Sequence, residues 1–310
     1  MIIQDKDFNR DGSFKYISDF RDKLMGKKGE TILVNGVISP VLKATKSLIR
    51  LRLLNGSNSR TYHLNFDDGR MFNIIASDGG LLEKPEMAHS IKLAPAERAE
   101  ILVDVSDGKM PILRHKMHQQ KSANRMTGMM MMQQAQGKKL EFDIFQIDAS
   151  GVSSSSKKVP KYLVQHDTPS MRSIVRKRTF KLQMQMGPQL MMGAVSGSKD
   201  LLQINGKSMK INRIDEVVKA GSIELWEIEN TSMMAHPFHI HNVQFKIISR
   251  RGKIKGHELG FKDVVLVRPH ETVQVLIEFP KFSDAKTPYM YHCHILEHED
   301  RGMMGQFVVV

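Results

Sequence analysis

Apolar and polar residues alternate at period two through the clearest stretches of the chain. "GSIELWEIEN" (221–230) and "VQFKIISR" (243–250) both read as strands with one face turned to a core. The pattern recurs in spaced copies. "LVNGVISP" at 33 is echoed by "QINGKSMK" at 203, "IRLRLLN" at 49 by "IELWEIEN" at 223, and "PAERAEILVDV" at 95 by "PHETVQVLIEF" at 269. Offsets of about 170 to 175 residues predict two copies of one fold. Turn-rich, β-patterned copies of this length suit Greek-key β-sandwiches, so the expected class is all-β. The copies are placed at 1–150 and 172–310. The Ser-rich stretch "DASGVSSSSKKVPK" (148–161) opens a flexible connector that runs over 151–171.

Composition narrows the field. At 310 residues with 41% hydrophobic content, the chain can bury the cores of two ordinary domains. No apolar run approaches the ~18 residues that span a bilayer. The N-terminus, "MIIQDKDFNRDGSF", has neither the apolar core nor the small-residue cleavage site of a secretion signal. A net charge of +13 invites a nucleic-acid reading, but the 46 basic residues are dispersed among 33 acidic ones. Clusters such as "VRKRTFK" (175–181) are short, and no long basic face interleaved with aromatics occurs, so the basic balance reads as a solvated surface.

The chemistry is concentrated near the C-terminus. "HCHILEHEDRGMM" (292–304) holds the single cysteine of the chain, Cys293, between two histidines. A lone cysteine is a buried hydrophobe, a nucleophile or a metal ligand, and a nucleophile has no use for three neighbouring histidines. Thiolate, imidazole and thioether form the soft ligand set of copper, and two histidines, one cysteine and a weak methionine describe a blue-copper site. The second stretch is "HPFHIHNVQF" (236–245). Along a strand, residues i and i+2 share a face, so His239 and His241 point together while His236 can face the other way. In "YHCHI", His292 and His294 share one face and Cys293 takes the other. Two sites are expected: His236, Cys293, His298 and Met303 on one side, and His239, His241, His292 and His294 on the other.

These two stretches resemble the C-terminal copper motifs of the multicopper oxidases, in particular the bacterial copper-efflux (cuprous) oxidases, which are laccase-like. "TILVNG", "LIRLRLLNGSNSR" and "IASDGGLL" resemble the middle cupredoxin domain of that group, and the stretch from about 172 resembles its last one. The resemblance implies two consecutive cupredoxin-like domains, the first without copper ligands. It implies type 1 copper at His236, Cys293, His298 and Met303, a type 2 ligand at His239, and type 3 ligands at His241, His292 and His294. It implies that Glu299 supplies protons, and that electrons from Cu(I) or phenolic donors reduce O2 to water, with a role in copper homeostasis in the periplasm.

The family builds its three-copper cluster from four His-X-His pairs, and this sequence has two, 239/241 and 292/294. The first cupredoxin domain of the family pattern is therefore expected to be missing. A separate N-terminal cupredoxin domain, or self-association, would have to supply the other ligands. The alternative is an electron-transfer or copper-binding protein with one type 1 copper. In the first copy, "TYHLNF" replaces "HPFHIH", and His115 and His118 in "RHKMH" read as surface histidines. The 22 methionines cluster in "MTGMMMMQ" (126–133), "MQMGPQLMMG" (184–193) and "SMMAH" (232–236) without amphipathic period. Thioethers suit Cu(I). By resemblance, Met186 and Met234, assisted by Met191 or Met192, would capture cuprous ion. Ser232 stands where that pattern has an acidic ligand.

Overall fold

A computed structural model describes residues 1–16, 20–116, 141–152, 158–184, 201–282 and 284–310. The alternation seen in the sequence becomes strands with one face inward. In Tyr62–Phe66, Tyr62, Leu64 and Phe66 are buried; in Arg98–Asp104 the inward residues are Ala99, Ile101 and Val103. Each such strand removes three or four apolar side chains from water, and packing two sheets face to face satisfies both inner faces at once.

The N-terminal unit is one such pair of sheets. The larger runs Val37–Ile38, Thr31–Val34, Ile2–Lys6, Leu48–Asn55, Arg98–Asp104, Phe72–Ser77, Gly80–Ala88. The smaller runs Val41–Lys43, Glu141–Asp148, Ile112–Lys116, Tyr62–Phe66, Ser90–Leu93. The C-terminal unit pairs a sheet ordered Leu202–Ile204, Ile174–Met184, Ile223–Asn230, Thr272–Glu278, Phe245–Ser249 with one ordered Glu216–Val218, Met304–Val309, Asp284–Cys293, His236–Ile240, Val264–Val267. Each unit has its own hydrophobic core. In the C-terminal one, Phe180, Trp226, Phe238, Phe279, Tyr291 and Phe307 form one aromatic cluster.

The repeat is visible in the pairing. Ile2–Lys6 lies parallel to Leu48–Asn55 as Ile174–Met184 does to Ile223–Asn230. The echoed Asn-Gly pair makes the same turn twice: Asn35 and Gly36 have φ of 51° and 82°, Asn205 and Gly206 have 53° and 71°. Positive φ at both central residues is the type I′ hairpin turn that Asn-Gly favours.

The repeat also shows how the first copy differs. Leu64 faces His115 across its ladder as Phe238 faces Cys293 across the other. His115 is 2% exposed, which corrects its reading as a surface histidine. Its ring stacks on Phe142 and meets Tyr62 edge-on, and Nδ1 accepts a 2.9 Å hydrogen bond from the His63 amide. Period two within Ile112–Lys116 puts His115 on the inward face with Leu113. His118, the stretch 126–133 and residues 185–200 lie outside the described residues.

The two units are joined by polar contacts as well as by the chain. Arg98 grips Asp263, and fully buried Lys262 forms ion pairs with Asp78 at 2.8 Å and Glu97 at 3.2 Å. Much of the segment after Lys158 is laid across both units. The Leu163 amide donates to Glu83 O, and the His166 ring packs on Phe261 and hydrogen-bonds Leu81 O.

Candidate metal centres

The strand His236–Ile240 lies between Val264–Val267 and the end of Asp284–Cys293, so the two histidine-bearing stretches are neighbours in one ladder. His239 pairs with His292 across it and Phe238 with Cys293. After Cys293 the chain turns into the short helix Leu296–Glu299, which swings His298 back over the buried side of the strand.

On that side Cys293, His236 and His298 converge, all with zero exposure. His236 Nδ1 lies 3.4 Å from Cys293 Sγ, His298 Nδ1 lies 3.6 Å from it, and the two Nδ1 atoms are 3.3 Å apart. Hydrogen bonds behind the rings fix the tautomers. His298 Nε2 donates to the Leu24 carbonyl at 2.8 Å. His236 Nε2 lies 2.8 Å from Ser232 Oγ, whose own hydrogen goes to Asn230 Oδ1. Both Nδ1 atoms then present lone pairs toward the sulfur, an arrangement that a cation relieves. Burial, with His298 alongside, holds His236 well below the usual imidazole range. Burial, with Arg301 nearby, takes His298 down to about 4. Both are neutral and ready to ligate. Burial pushes the Cys293 thiol far up, so its thiolate needs a bound cation for company. Met303 is fully buried in the same core, and its carbonyl accepts the Cys293 amide at 3.0 Å.

The other side of the ladder carries the second set. His241 Nε2 and His292 Nε2 are 3.1 Å apart, and one ligand atom each from His239, His241 and His292 falls within 4.8 Å of the others. Outer partners again select the tautomer: His239 Nδ1 donates to Asp263 O at 2.8 Å, and His292 Nδ1 faces Cys293 O at 3.2 Å and Glu299 Oε2 at 3.3 Å. The His294 ring stands 5.4 Å from that of His292 and 5.8 Å from that of His239, and its Nδ1 is buried without a partner. An orphaned buried nitrogen beside three imidazoles with free lone pairs fits a metal. Burial raises the Glu299 carboxyl, but the His292 hydrogen bond and the neighbouring imidazoles outweigh it, for a net lowering.

Met234 is 9% exposed within the C-terminal core, so its thioether is not on the surface; Met186, Met191 and Met192 lie outside the described residues. The exposed thioether of "SMMAH" is Met233, with Sδ 3.1 Å from His270 Nε2. In the sequence Met233 is marked only as a member of the "SMMAH" cluster, and His270 is not marked at all. Ser232 stands out as a departure from the resemblance; it is buried and serves His236.

Comparison with known proteins agrees with this geometry. A family model described as "Multicopper oxidase" matches residues 177–310. The chain is 35% identical over its whole length to the "Multicopper oxidase mco" of Staphylococcus haemolyticus, covering 58% of it. It is 34% identical to the "Cell division protein FtsP" of Xenorhabdus nematophila, covering 60%. Among solved structures, the multicopper oxidase of Campylobacter jejuni, described as a metallo-oxidase, superposes with a TM-score of 0.82 at 28% identity, over 99% of this chain and 63% of that one. The chain thus spans about three-fifths of the length of these relatives. Copper is the cofactor such a fold implies, and both donor sets suit it. With soft donors on both sides of one ladder, residues 177–310 belong to the multicopper oxidase family, and the two cupredoxin-like β-sandwiches together are similar to its members over the whole chain.

Proposed function

We propose that the chain carries the electron-accepting site and part of the oxygen-reducing site of a multicopper oxidase that takes electrons from Cu(I) or small phenolic donors. His236, Cys293, His298 and Met303 would hold the type 1 copper, His239 the type 2 copper, and His241, His292 and His294 the type 3 pair. Copper bound there supplies one-electron redox chemistry between the donor and O2. One observation carries the reading: Cys293 belongs to the first set, and both its sequence neighbours, His292 and His294, stand at the second. Two peptide links therefore join the sets, the shortest covalent route the chain can offer.

The protein's own groups prepare both sites. Complete burial of His236, Cys293 and His298 excludes water from the first. The carbonyls of Asp263 and Cys293 hold His239 and His292 with Nε2 facing inward. Glu299, bonded to His292 Nδ1, is placed to hold and pass protons at the edge of the second set. The methionines at 186, 191, 192 and 234 are assigned to cuprous capture, in keeping with the metallo-oxidase character of the Campylobacter jejuni relative. Four imidazoles are half of the family's set, so the oxygen-reducing site is completed by a cupredoxin domain with two more His-X-His pairs, or by another copy. The division into sandwiches at 1–150 and 172–310 and a periplasmic location complete the proposal; among the described residues no helix is long and apolar enough to cross a membrane.

An electron carrier with a single type 1 copper has no need of the 239/241 and 292/294 pairs. The test is oxygen uptake with Cu(I) as donor, by the copper-loaded chain alone and with an added cupredoxin domain bearing two His-X-His pairs. Uptake in the mixture supports the oxidase. One retained copper with no uptake in either case supports the carrier.

A further inference from the structure

We propose that the N-terminal unit, which among the described residues brings no ligand side chain, positions the type 1 donor set through the backbone carbonyl of Leu24. This rests on the reading of His236, Cys293 and His298 as ligands of one copper.

His298 is fully buried and its Nε2 lies 2.8 Å from Leu24 O. A carbonyl oxygen can only accept, so Nε2 carries the proton and Nδ1 keeps the lone pair that faces Cys293 Sγ and His236 Nδ1. The local structure explains why that carbonyl is available. Leu24 sits in the last turn of the helix Phe20–Met25, where carbonyls have no partner within the helix. Gly26, at φ +79°, ends the helix there. A Cβ at Gly26 would stand 2.3 Å from Ser59 Cβ and 2.8 Å from Ile295 Cγ2, so only glycine lets this segment seat against the residue that precedes the His298 helix.

The same face is fastened from several directions. Asn58 O accepts the Leu296 amide at 3.1 Å, and Asn58 Nδ2 and Tyr16 Oη both donate to Glu297 Oε1, at 2.9 and 3.1 Å. Met25 packs against the C-terminal core. By contrast, His236 is steadied from within its own unit, by Ser232. The two imidazoles of one donor set are thus referenced to different units, and the seating of the units on each other sets the angle between them.

Replacing Gly26 with Val would push the helix end and its carbonyl away from His298. Outer partners of metal ligands are typically worth about 10–100-fold in metal affinity. Co(II) is a suitable probe, because its thiolate absorption reports Cys293 and its titration gives an affinity. Gly26→Val is expected to bind Co(II) about tenfold more weakly and with a shifted thiolate band. Asn58→Ala removes the side-chain bond to Glu297 but keeps the backbone bond from the Leu296 amide, so the units stay seated and the variant is expected to keep the wild-type band and affinity. Equal losses in the two variants, or an unchanged Gly26→Val, overturn the proposal. Absence of a thiolate band in the wild type would instead sink the ligand assignment beneath it. Should Gly26→Val fail to fold, nitrogen-15 NMR of the metal-free wild type decides: a slowly exchanging Nε2–H on His298 supports the proposal, and an Nδ1–H tautomer overturns it.

Discussion

Arg98 of the N-terminal unit holds Asp263 of the C-terminal unit in a two-pronged grip, Nη1 to Oδ1 at 2.7 Å and Nη2 to Oδ2 at 2.6 Å. The backbone carbonyl of that same Asp263 takes the Nδ1 proton of His239 at 2.8 Å. One residue therefore anchors the interface between units and orients an imidazole of the second metal set. Arg98→Ala leaves the Asp263 carboxylate without its fork and should cost about 1–3 kcal/mol of stability. Arg98→Lys should recover only part of it, because an ammonium cannot form the two parallel bonds. Denaturant titration of the three proteins measures the difference; equal stability for all three would show the grip to be incidental.

The convergence of Cys293 Sγ with two Nδ1 atoms predicts a blue protein when Cu(II) is bound, coloured by thiolate-to-copper charge transfer. Cys293→Ser is close in size and should fold, yet its visible band should vanish. Met303→Leu should keep the band and raise the reduction potential, because loss of a weak axial thioether favours the reduced ion. Visible spectra and a redox titration report the two effects. A strong band persisting in the serine variant would remove Cys293 from the site.

His115 gives the N-terminal unit an acid sensitivity of its own. Burial, with Arg60 and Lys28 nearby, pushes its imidazole down to about 4 in the folded state, against about 6.5 unfolded. The unfolded chain takes up this proton first. The contribution is therefore fully present above about pH 6.5 and is lost on acidification toward pH 4, by up to about 1.4 kcal/mol per pH unit. His115→Phe keeps a ring against Phe142 but gives up the bond from the His63 amide, so it should be about 1 kcal/mol less stable at pH 7. The gap to wild type should shrink or reverse by about pH 4.5. Urea titrations of the metal-free proteins at both pH values isolate the effect, since every other buried imidazole is common to the two. A gap that does not change with pH would contradict it.

What was legible in the sequence was local and periodic. Spacing by two separated His236 from His239 and His241, and Cys293 from His292 and His294, because strand geometry turns sequence parity into a choice of face. The Asn-Gly echoes carried the repeat for the same reason: a two-residue turn is decided by its own residues. The partners that orient the rings were not legible. Leu24 and Asp263 act through backbone carbonyls, which every residue has, and Leu24 lies 274 positions from His298 in the chain. His115 reads with its polar neighbours in "RHKMH" as a surface histidine, whereas its parity with Leu113 puts it on the inward face. Met233 offered no signal beyond its neighbours, since which of two adjacent methionines faces solvent depends on the turn before His236.

Ligand geometry also limits how much copper the 310-residue chain holds by itself. The set around Cys293 is sealed: its three donors are fully buried, two rings are locked by Ser232 and Leu24, and every piece of it comes from residues present here. The set around His239 is only half enclosed. His239, His241 and His294 are partly exposed, and four imidazoles cannot by themselves enclose three ions. The first set should therefore keep about one copper per chain through dialysis against a moderate chelator, while the second loses its metal, because affinity follows the number and rigidity of donors. Cys293→Ser should lower the retained copper nearly to zero. His239→Ala should leave retention unchanged in the isolated chain but abolish any oxygen uptake gained on adding a cupredoxin domain with two His-X-His pairs. Copper analysis before and after dialysis, alongside oxygen-electrode measurements, tests these statements together. Retention of about four coppers with steady oxygen consumption by the monomeric chain would show that the second set is complete as it stands.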